Sequence, residues 1–332
     1  VPPAPRPEVR YGLSWLVAGG FVGWAALRVA GADRLPAIGA PAAVVLPFTP
    51  QAAAAGWLSA LILRDNPAAG VTAAAAAVLT AAVGPRAFPR RQPPASGPVL
   101  RVLTANLLIG RAEAEPVVEL VRRTGADVLL AQELSTAAAD RLARAGLEEL
   151  LPQVARAIPA HAPCGNAIYA RHPLSEAVDG HRPTSPVQPV VVLDLGGYPV
   201  RLGCVHLHPP RHPWHRSGVT SWRDDLADLA ALPWPAWPGD LPSILAGDFN
   251  TTMDHAGLRR QLRQGYVDAA CQSGNGLIPT WGPRSGGQGA LLTLDHVLAD
   301  ARCAVRRTSV HRLPGTDHRA VFAELRLPAL SS

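Results

Sequence analysis

Hydrophobic and polar positions fall into two textures along the chain. Residues 11–27 are uncharged and apolar, and the run reaches Gly31 if Arg28 snorkels. Residues 35–63 are again uncharged, although Pro36, Pro41, Pro47 and Pro50 would break or kink the first half. Residues 67–84 form a third uncharged run, rich in alanine. These runs predict an all-α region over 1–86 with about three transmembrane helices, 11–31, 36–63 and 67–84. Ala30-Gly31-Ala32 resembles a signal-peptidase site. Two further apolar runs follow it, which argues against simple secretion; a buried soluble helical pair is the other reading. Residues 87–97, with three prolines and no periodicity, read as a linker.

From residue 98 short apolar runs alternate with amphipathic ones. Strands are predicted at 99–105, 127–131 and 167–170, and Ala114, Val117, Val118 and Val121 keep the spacing of a helix with one apolar face. A helix follows at 136–151. Residues 190–195 and 200–205, joined through Gly196-Gly197-Tyr198, read as a hairpin. Helices at 222–232 and 256–264 and strands at 243–246, 293–298 and 320–325 complete the pattern. Strands joined both directly and through helices indicate mixed sheets covered by helices, one α/β domain over 98–328.

Charge changes this picture in one respect. The net charge is +6, and all 31 basic residues are arginine. Eight of them lie in residues 1–97 against Glu8, Asp33 and Asp65, which leaves 23 arginines against 22 acids in the rest. The excess sits beside the apolar runs, where arginines flank membrane spans, and the larger part lacks the positive field of a dedicated duplex binder. Three spans would put Arg6, Arg10 and Arg64 on one side and Arg28, Arg34, Arg86, Arg90 and Arg91 on the other. Counting alone then places the larger domain in the cytoplasm. The chain begins at Val1, which leaves room for residues upstream of it. None of the four cysteines (164, 204, 271, 303) makes a C-x-x-C pair; Cys204 reads as core, and one disulfide among the others is open.

The chemistry lies in polar residues placed just after apolar runs. Asn106 ends Leu103-Thr104-Ala105-Asn106, Glu133 ends Leu129-Leu130-Ala131-Gln132-Glu133, and His206 ends Gly203-Cys204-Val205-His206. Asp248 and Asn250 fall in Gly247-Asp248-Phe249-Asn250, Asp295 in Leu294-Asp295-His296, and Asp317 and His318 in Gly315-Thr316-Asp317-His318. Singly, each is an ordinary turn former or cap. Strands of one sheet present their ends along a common rim, so the set in this order can converge on one pocket.

Taken in that order, these segments resemble the endonuclease/exonuclease/phosphatase superfamily, the DNase I-like hydrolases. Gly165-Asn166-Ala167-Ile168-Tyr169-Ala170-Arg171-His172-Pro173 is similar to the family's strand that ends in an Arg-aromatic-Pro turn. The resemblance covers 98–328 and implies a four-layer α/β sandwich, two mixed sheets flanked by helices, with the site on one rim. It implies hydrolysis of a phosphate mono- or diester by water with Mg²⁺ or Mn²⁺, and a catalytic domain outside the cell membrane. Glu133 would be the metal carboxylate, with Asn106 supporting the ion or the phosphate. Asp248 would orient or deprotonate the attacking water, Asn250 would hold the phosphate, and His318, braced by Asp295, would contact a phosphoryl oxygen. His206 would be a second phosphate ligand, ahead of His208. Asp317 would bind or position a metal, or simply brace its loop.

Departures from the family narrow the substrate. Abasic-site enzymes carry an acid two residues after the Asn, where this chain has Leu108. With the absent basic excess, this favours a lipid, a small molecule or another phosphoester over polymeric DNA. A sphingomyelinase-like or other phospholipid-headgroup phosphodiesterase and a DNase-like nuclease are the alternatives within the family. A silent binding module and an accessory domain of a transporter are the rivals outside it; no acid lies inside the proposed spans, which disfavours ion-coupled transport. Partners are therefore the phosphoester and the lipid bilayer, with no protein partner predicted. Trp214, Trp222, Trp234 and Trp237 either dip into an interface or pack under a loop. His296 alternates to the far face of its strand and reads as structural. His161, His172, His212 and His215 read as surface or loop residues.

Overall fold

The computed structural model describes residues 7–160, 162–175, 178–179, 188–210, 216–231 and 241–330. The first texture forms a helical bundle. α1 (Pro7–Ala30) runs toward the rest of the molecule, α3 (Thr49–Ile62) runs away from it and α4 (Ala68–Val83) returns. Between α1 and α3 the prolines act as the sequence requires: α2 (Gly39–Val45) gives way to a 3-10 turn, Leu46–Phe48, before α3 begins. Three helical stretches, Tyr11–Ala30, Gly39–Ile62 and Ala68–Ala87, are long and apolar enough to cross a membrane. Small residues let the bundle close; a Cβ on Gly56 of α3 would lie 2.9 Å from the Ala76 Cβ of α4.

The second texture forms the sandwich. Its first sheet has strand order β11-β12-β1-β2-β4-β3: β1 (Val99–Asn106), β2 (Val128–Leu134), β3 (Gln153–Ala157), β4 (Gly165–Ala170), β11 (Ala304–Arg312) and β12 (Arg319–Arg326). The second has order β5-β6-β7-β8-β10-β9: β5 (Val178–Asp179), β6 (Pro189–Asp194), β7 (Pro199–His206), β8 (Ser243–Asp248), β9 (Tyr266–Asp268) and β10 (Asp295–Asp300). Leu100, Val102, Val128, Leu130 and Ile168 of the first sheet meet Val191, Leu202, Ile244, Ala246 and Val297 of the second in one buried core. The apolar stripe of α5 (Ala114–Thr124) packs on the outside of the first sheet with α6 (Thr136–Arg144) and α7 (Leu147–Leu150). On the outside of the second sheet, Trp222 and Leu226 of α8 (Arg216–Ala231) and Leu258 of α9 (Ala256–Leu262) pack around Ala43 of α2.

The expected helix over 136–151 is two helices, because Gly146 takes a left-handed conformation (φ 89°) between them. The 190–205 hairpin turns on Gly196 and Gly197, both at positive φ (71° and 88°) as a tight turn of this kind needs. Residues 87–97, read as a linker, are fastened to the domain: Arg90 N–H donates to Gln272 O and Val305 N–H to Gln92 Oε1. The four cysteines are free thiols, which closes the disulfide question; burial pushes the Cys204 thiol up to about 12.

Candidate active site

Both sheets deliver their functional side chains in the same way. In the first, parallel β1 and β2 carry Asn106 at the last position of β1 and Glu133 one residue before the end of β2, while antiparallel β12 starts just after His318. In the second, parallel β7 and β8 end on His206 and Asp248, which are register partners, and antiparallel β10 starts on Asp295, the partner of Asp248 on its other side. Parallel strands that end together leave their last residues on one rim, and the rims of the two sheets face a common cavity of about 920 Å³. β7 and β8 approach so closely here that a Cβ on Gly247 would lie 1.8 Å from Val205 O. Only glycine fits before Asp248.

Hydrogen bonds cross from one sheet to the other. Asn106 Nδ2 lies 3.0 Å from Glu133 Oε1 and 3.0 Å from Asp248 Oδ2, so one amide spans the two carboxylates. Its oxygen accepts from Leu108 N–H at 2.9 Å. Asp248 Oδ1 accepts from Asn250 N–H at 2.8 Å, and Asn250 Nδ2 donates to Leu207 O. His318 Nδ1 lies 2.9 Å from Asp295 Oδ2, and its Nε2 faces Asp248 Oδ2 at 3.6 Å. Thr316 Oγ1 donates to Asn106 O and accepts from His318 N–H, which fixes the His318 loop to the end of β1. His206 Nε2 stands 3.7 Å from Glu133 Oε1.

Backbone strain is concentrated at the same place. Among the described residues, Leu108, Ile109, Glu133 and Asn250 are the non-glycine residues at positive φ (49°, 52°, 53° and 46°), and all four line the cavity. Such conformations cost about 1–3 kcal/mol each and persist where the surroundings over-determine them. Here they aim amides at the site: Ile109 N–H reaches Glu133 Oε2 at 2.9 Å, as Asn250 N–H reaches Asp248.

Charge follows from burial and neighbours. Burial lifts the Asp248 carboxyl above its ordinary range, against the opposing pull of His318. Burial alone would lower the His318 pKa, but Asp295 and Asp248 outweigh it and push it up to about 10. His318 is therefore an imidazolium at neutral pH. Asp248, Asp295 and His318 present ligand atoms within 4.8 Å of one another, a spacing a cation can also use. The 2.9 Å hydrogen bond between His318 Nδ1 and Asp295 Oδ2 already pairs two of the three. Among the described residues, the cavity lining holds Glu133, Asp248 and Asp317 and no arginine.

All eight residues singled out from the sequence are accounted for. Glu133, His206, Asp248, Asn250, Asp317 and His318 line the cavity, and Asn106 and Asp295 brace them from just behind. Asp317 accepts from Trp281 Nε1 at 3.0 Å, while its other oxygen is buried without a hydrogen-bond partner. His296 points away, held between Asp268 and Thr251 O. Trp222 is buried, donating to Thr251 Oγ1, so of the two readings for the tryptophans it takes packing under a loop. Trp214, Trp234, Trp237, His161, His212 and His215 lie outside the described residues; His172 is half-buried. Sequence reasoning missed Trp281, Thr316 and the pairing of His208 Nδ1 with Asp225 Oδ2 at 2.9 Å, a second carboxylate-braced histidine on the cavity. The one signal for the last was the i, i+2 relation of His208 to His206.

A model of the Endonuclease/Exonuclease/phosphatase family matches residues 103–318. Solved structures that share the fold include a humanized D. rerio TDP2 carrying 14 mutations, 17% identical over 68% of this chain and 98% of that one, at a TM-score of 0.56. SmcL is 14% identical over 68% of this chain and 98% of its own, at 0.53. An endonuclease/exonuclease/phosphatase from Beutenbergia cavernae DSM 12333 is 20% identical over 70% and 72%, at 0.50. At such identities the likeness is one of fold. By sequence, no curated protein matches the chain.

Proposed function

The chain belongs to the endonuclease/exonuclease/phosphatase family, and from that premise we propose that it is a membrane-tethered, metal-dependent hydrolase of a phosphate mono- or diester. The observation that carries this reading is the bridge of Asn106 between Glu133 and Asp248, which joins the ends of both sheets into one acid-lined site. Asp248, its pKa raised by burial, takes a proton from water held beside it. The water oxygen forms the new bond to phosphorus as the ester P–O bond breaks, and the leaving alcoholate takes a proton from solvent. The His318 imidazolium, held by Asp295, donates to a non-bridging phosphoryl oxygen, with Asn250 and His206 completing the phosphate cradle.

The residues present fit a hard divalent cation. Glu133 and Asp317 offer oxygen donors of the kind Mg²⁺ or Mn²⁺ takes, and a divalent ion there would add to the His318 charge in offsetting the repulsion between a phosphoester and the carboxylates of Glu133, Asp248 and Asp317. Asn106 would hold the Glu133 carboxylate in place. When bound, such an ion neutralises charge developing on the phosphoryl oxygens.

The tether rests on the outer surface of the bundle. Leu16, Leu58, Leu61 and Ile62 are 77, 59, 63 and 72% exposed, an apolar surface that suits lipid rather than water. We place the catalytic domain on the outer face of the cell membrane. Two of the arginines that pointed to the cytoplasm, Arg28 and Arg86, are buried against Asp254, so their charge has a structural explanation. External protease cleaving the catalytic domain on intact cells supports that side; protection of the domain overturns it.

The enzymatic reading is tested with the full chain in detergent and a soluble chromogenic phosphodiester. Turnover that needs Mg²⁺ or Mn²⁺, stops with EDTA and is lost in His318→Ala is the expected result. Turnover indifferent to EDTA and to that substitution overturns it.

A further inference from the structure

The catalytic sandwich does not build its cavity alone. One wall comes from Val44, Pro47 and Phe48, in α2 and the turn that leads into α3, upstream of the linker. This wall is firmly seated. Ala43 is buried among Leu207, Trp222 and Phe249, and His255 donates from Nε2 to Ala43 O at 2.8 Å while its Nδ1 accepts from Thr252 N–H. Nearby, Arg223 donates to Asp33 O and Leu35 O, and Asp33 Oδ2 accepts from Ala256 N–H at 2.9 Å. Arg28 and Arg86, at the ends of two apolar helices, both grip the buried Asp254.

The same wall continues into the apolar bundle. A bilayer core of about 30 Å needs about 20 helical residues. α3 has 14, a rise of about 21 Å, and the segment reaches spanning length only over Gly39–Ile62, with Leu46–Phe48 included. Val44, Pro47 and Phe48 thus belong both to the cavity wall and to the sandwich-proximal part of the apolar stretch Gly39–Ile62. About 920 Å³ is far more than a phosphate group fills, and outside the carboxylates and histidines the lining is mostly apolar, with the half-exposed Ile109 on the opposite strained loop.

On the phosphoesterase reading, we propose that the substrate is an amphiphile borne by the bilayer, a phosphoester whose apolar anchor rests on Val44, Pro47 and Phe48 while its phosphate meets His206 and His318. The segment that enters the membrane is thus part of the substrate site. An amphiphile that stays in its own leaflet needs only to move its headgroup into the cavity, with its anchor passing from lipid to an apolar wall.

The test compares substrates on the full chain reconstituted in vesicles of phosphatidylcholine, phosphatidylglycerol, sphingomyelin and phosphoinositides. Soluble probes are a short-chain phosphodiester below its micelle threshold and duplex DNA. The expected result is hydrolysis of a vesicle lipid at a higher kcat/KM than either soluble probe. Phe48→Ser lowers the ratio of kcat/KM for the vesicle lipid to that for the short-chain diester by about tenfold or more. Val44→Thr, nearly the same shape with a hydroxyl, lowers the same ratio and serves if Phe48→Ser fails to fold. Turnover of the short-chain diester with no turnover of any vesicle lipid, preference for DNA, or an unchanged ratio in Val44→Thr overturns the proposal and leaves the phosphoesterase reading standing. No turnover of any ester overturns the phosphoesterase reading itself.

Discussion

The two sheets of the sandwich are covered in different ways. The first is covered by α5, α6 and α7, which come from the chain between its own strands and contribute apolar faces such as Val117, Leu120, Val121 and Leu142. The second is covered by α8 and α9 together with α2, a helix from before the linker, and this cover is fastened by polar groups. Burial of apolar area needs no fixed partner; a buried ion pair does. The first cover can thus be reached by local folding, whereas the second holds two regions in one relative position. The packing unit that builds the site begins near Asp33, far upstream of residue 98.

The largest expected effect comes from the residue both sheets share. Asp248→Ala removes the proposed base and lowers kcat by about 10²–10⁴, measured on a soluble diester. A loss under tenfold would remove Asp248 from the chemistry.

The second cover is broken most directly at Asp254. Asp254→Ala leaves the Arg28 and Arg86 charges buried without their partner and destabilises the chain by about 3–5 kcal/mol, read from thermal unfolding in detergent. Leu120→Ala in the first cover costs a similar ~2–5 kcal/mol by leaving a cavity. The sharper contrast is in pH. Burial would raise the Asp254 pKa, but Arg86 and Arg28 outweigh it and hold the carboxyl below its ordinary range. A depressed carboxyl contributes stability that is present above its unfolded pKa, about 3.9, and is lost as pH falls through the lower folded value. Unfolding scans in acid should show this contribution vanish in Asp254→Ala, while Leu120→Ala keeps the wild-type pH dependence.

A smaller effect is expected at Asp295. His318 is held at about 10 by Asp295 and Asp248, so activity that needs the imidazolium persists through neutral pH and falls as pH rises through that value. Asp295→Asn takes away the carboxylate that raises His318 most, and the alkaline limb of the kcat/KM profile moves to lower pH. An unmoved limb would mean that Asp295 does not set the charge of His318. Smallest of all, Leu58→Ser on the outer face of the bundle changes stability in detergent by less than about 0.5 kcal/mol, since that side chain is 59% exposed and meets no core.

How much of this was legible in the sequence depends on whether the governing forces are local. Strand ends that carry Asn106, Glu133, His206 and Asp248 stand out because an apolar run followed by a polar residue is a local pattern. β11 was not predicted: Ala-Val-Arg-Arg-Thr-Ser-Val-His-Arg is an edge strand with mostly partly exposed side chains, so no alternation marks it. β9, three residues long, is too short to leave a period. The His208–Asp225 pair and the Trp281–Asp317 contact join positions 17 and 36 residues apart, and nothing local announces either. Least legible is the second role of residues 39–48. They belong to the apolar stretch Gly39–Ile62 that the sequence marks, yet a Cβ on Gly39 would collide with the Arg223 guanidinium, and Ala43 belongs to the core beneath β8. Hydropathy cannot distinguish an apolar residue that faces lipid from one that faces a sheet.

The contact that joins the two sheets at the site, Asn106 Nδ2 to Asp248 Oδ2 at 3.0 Å, offers the most direct measurement. It is a double-mutant cycle of Asn106→Ala and Asp248→Ala on kcat/KM for a soluble phosphodiester with Mn²⁺ present. If both residues act in one site, the double variant is far less impaired than the product of the single losses, with a coupling of about 0.5–3 kcal/mol. Losses that multiply, additive to within about 0.3–0.5 kcal/mol, would contradict the account, because the two sheet ends would then be working apart.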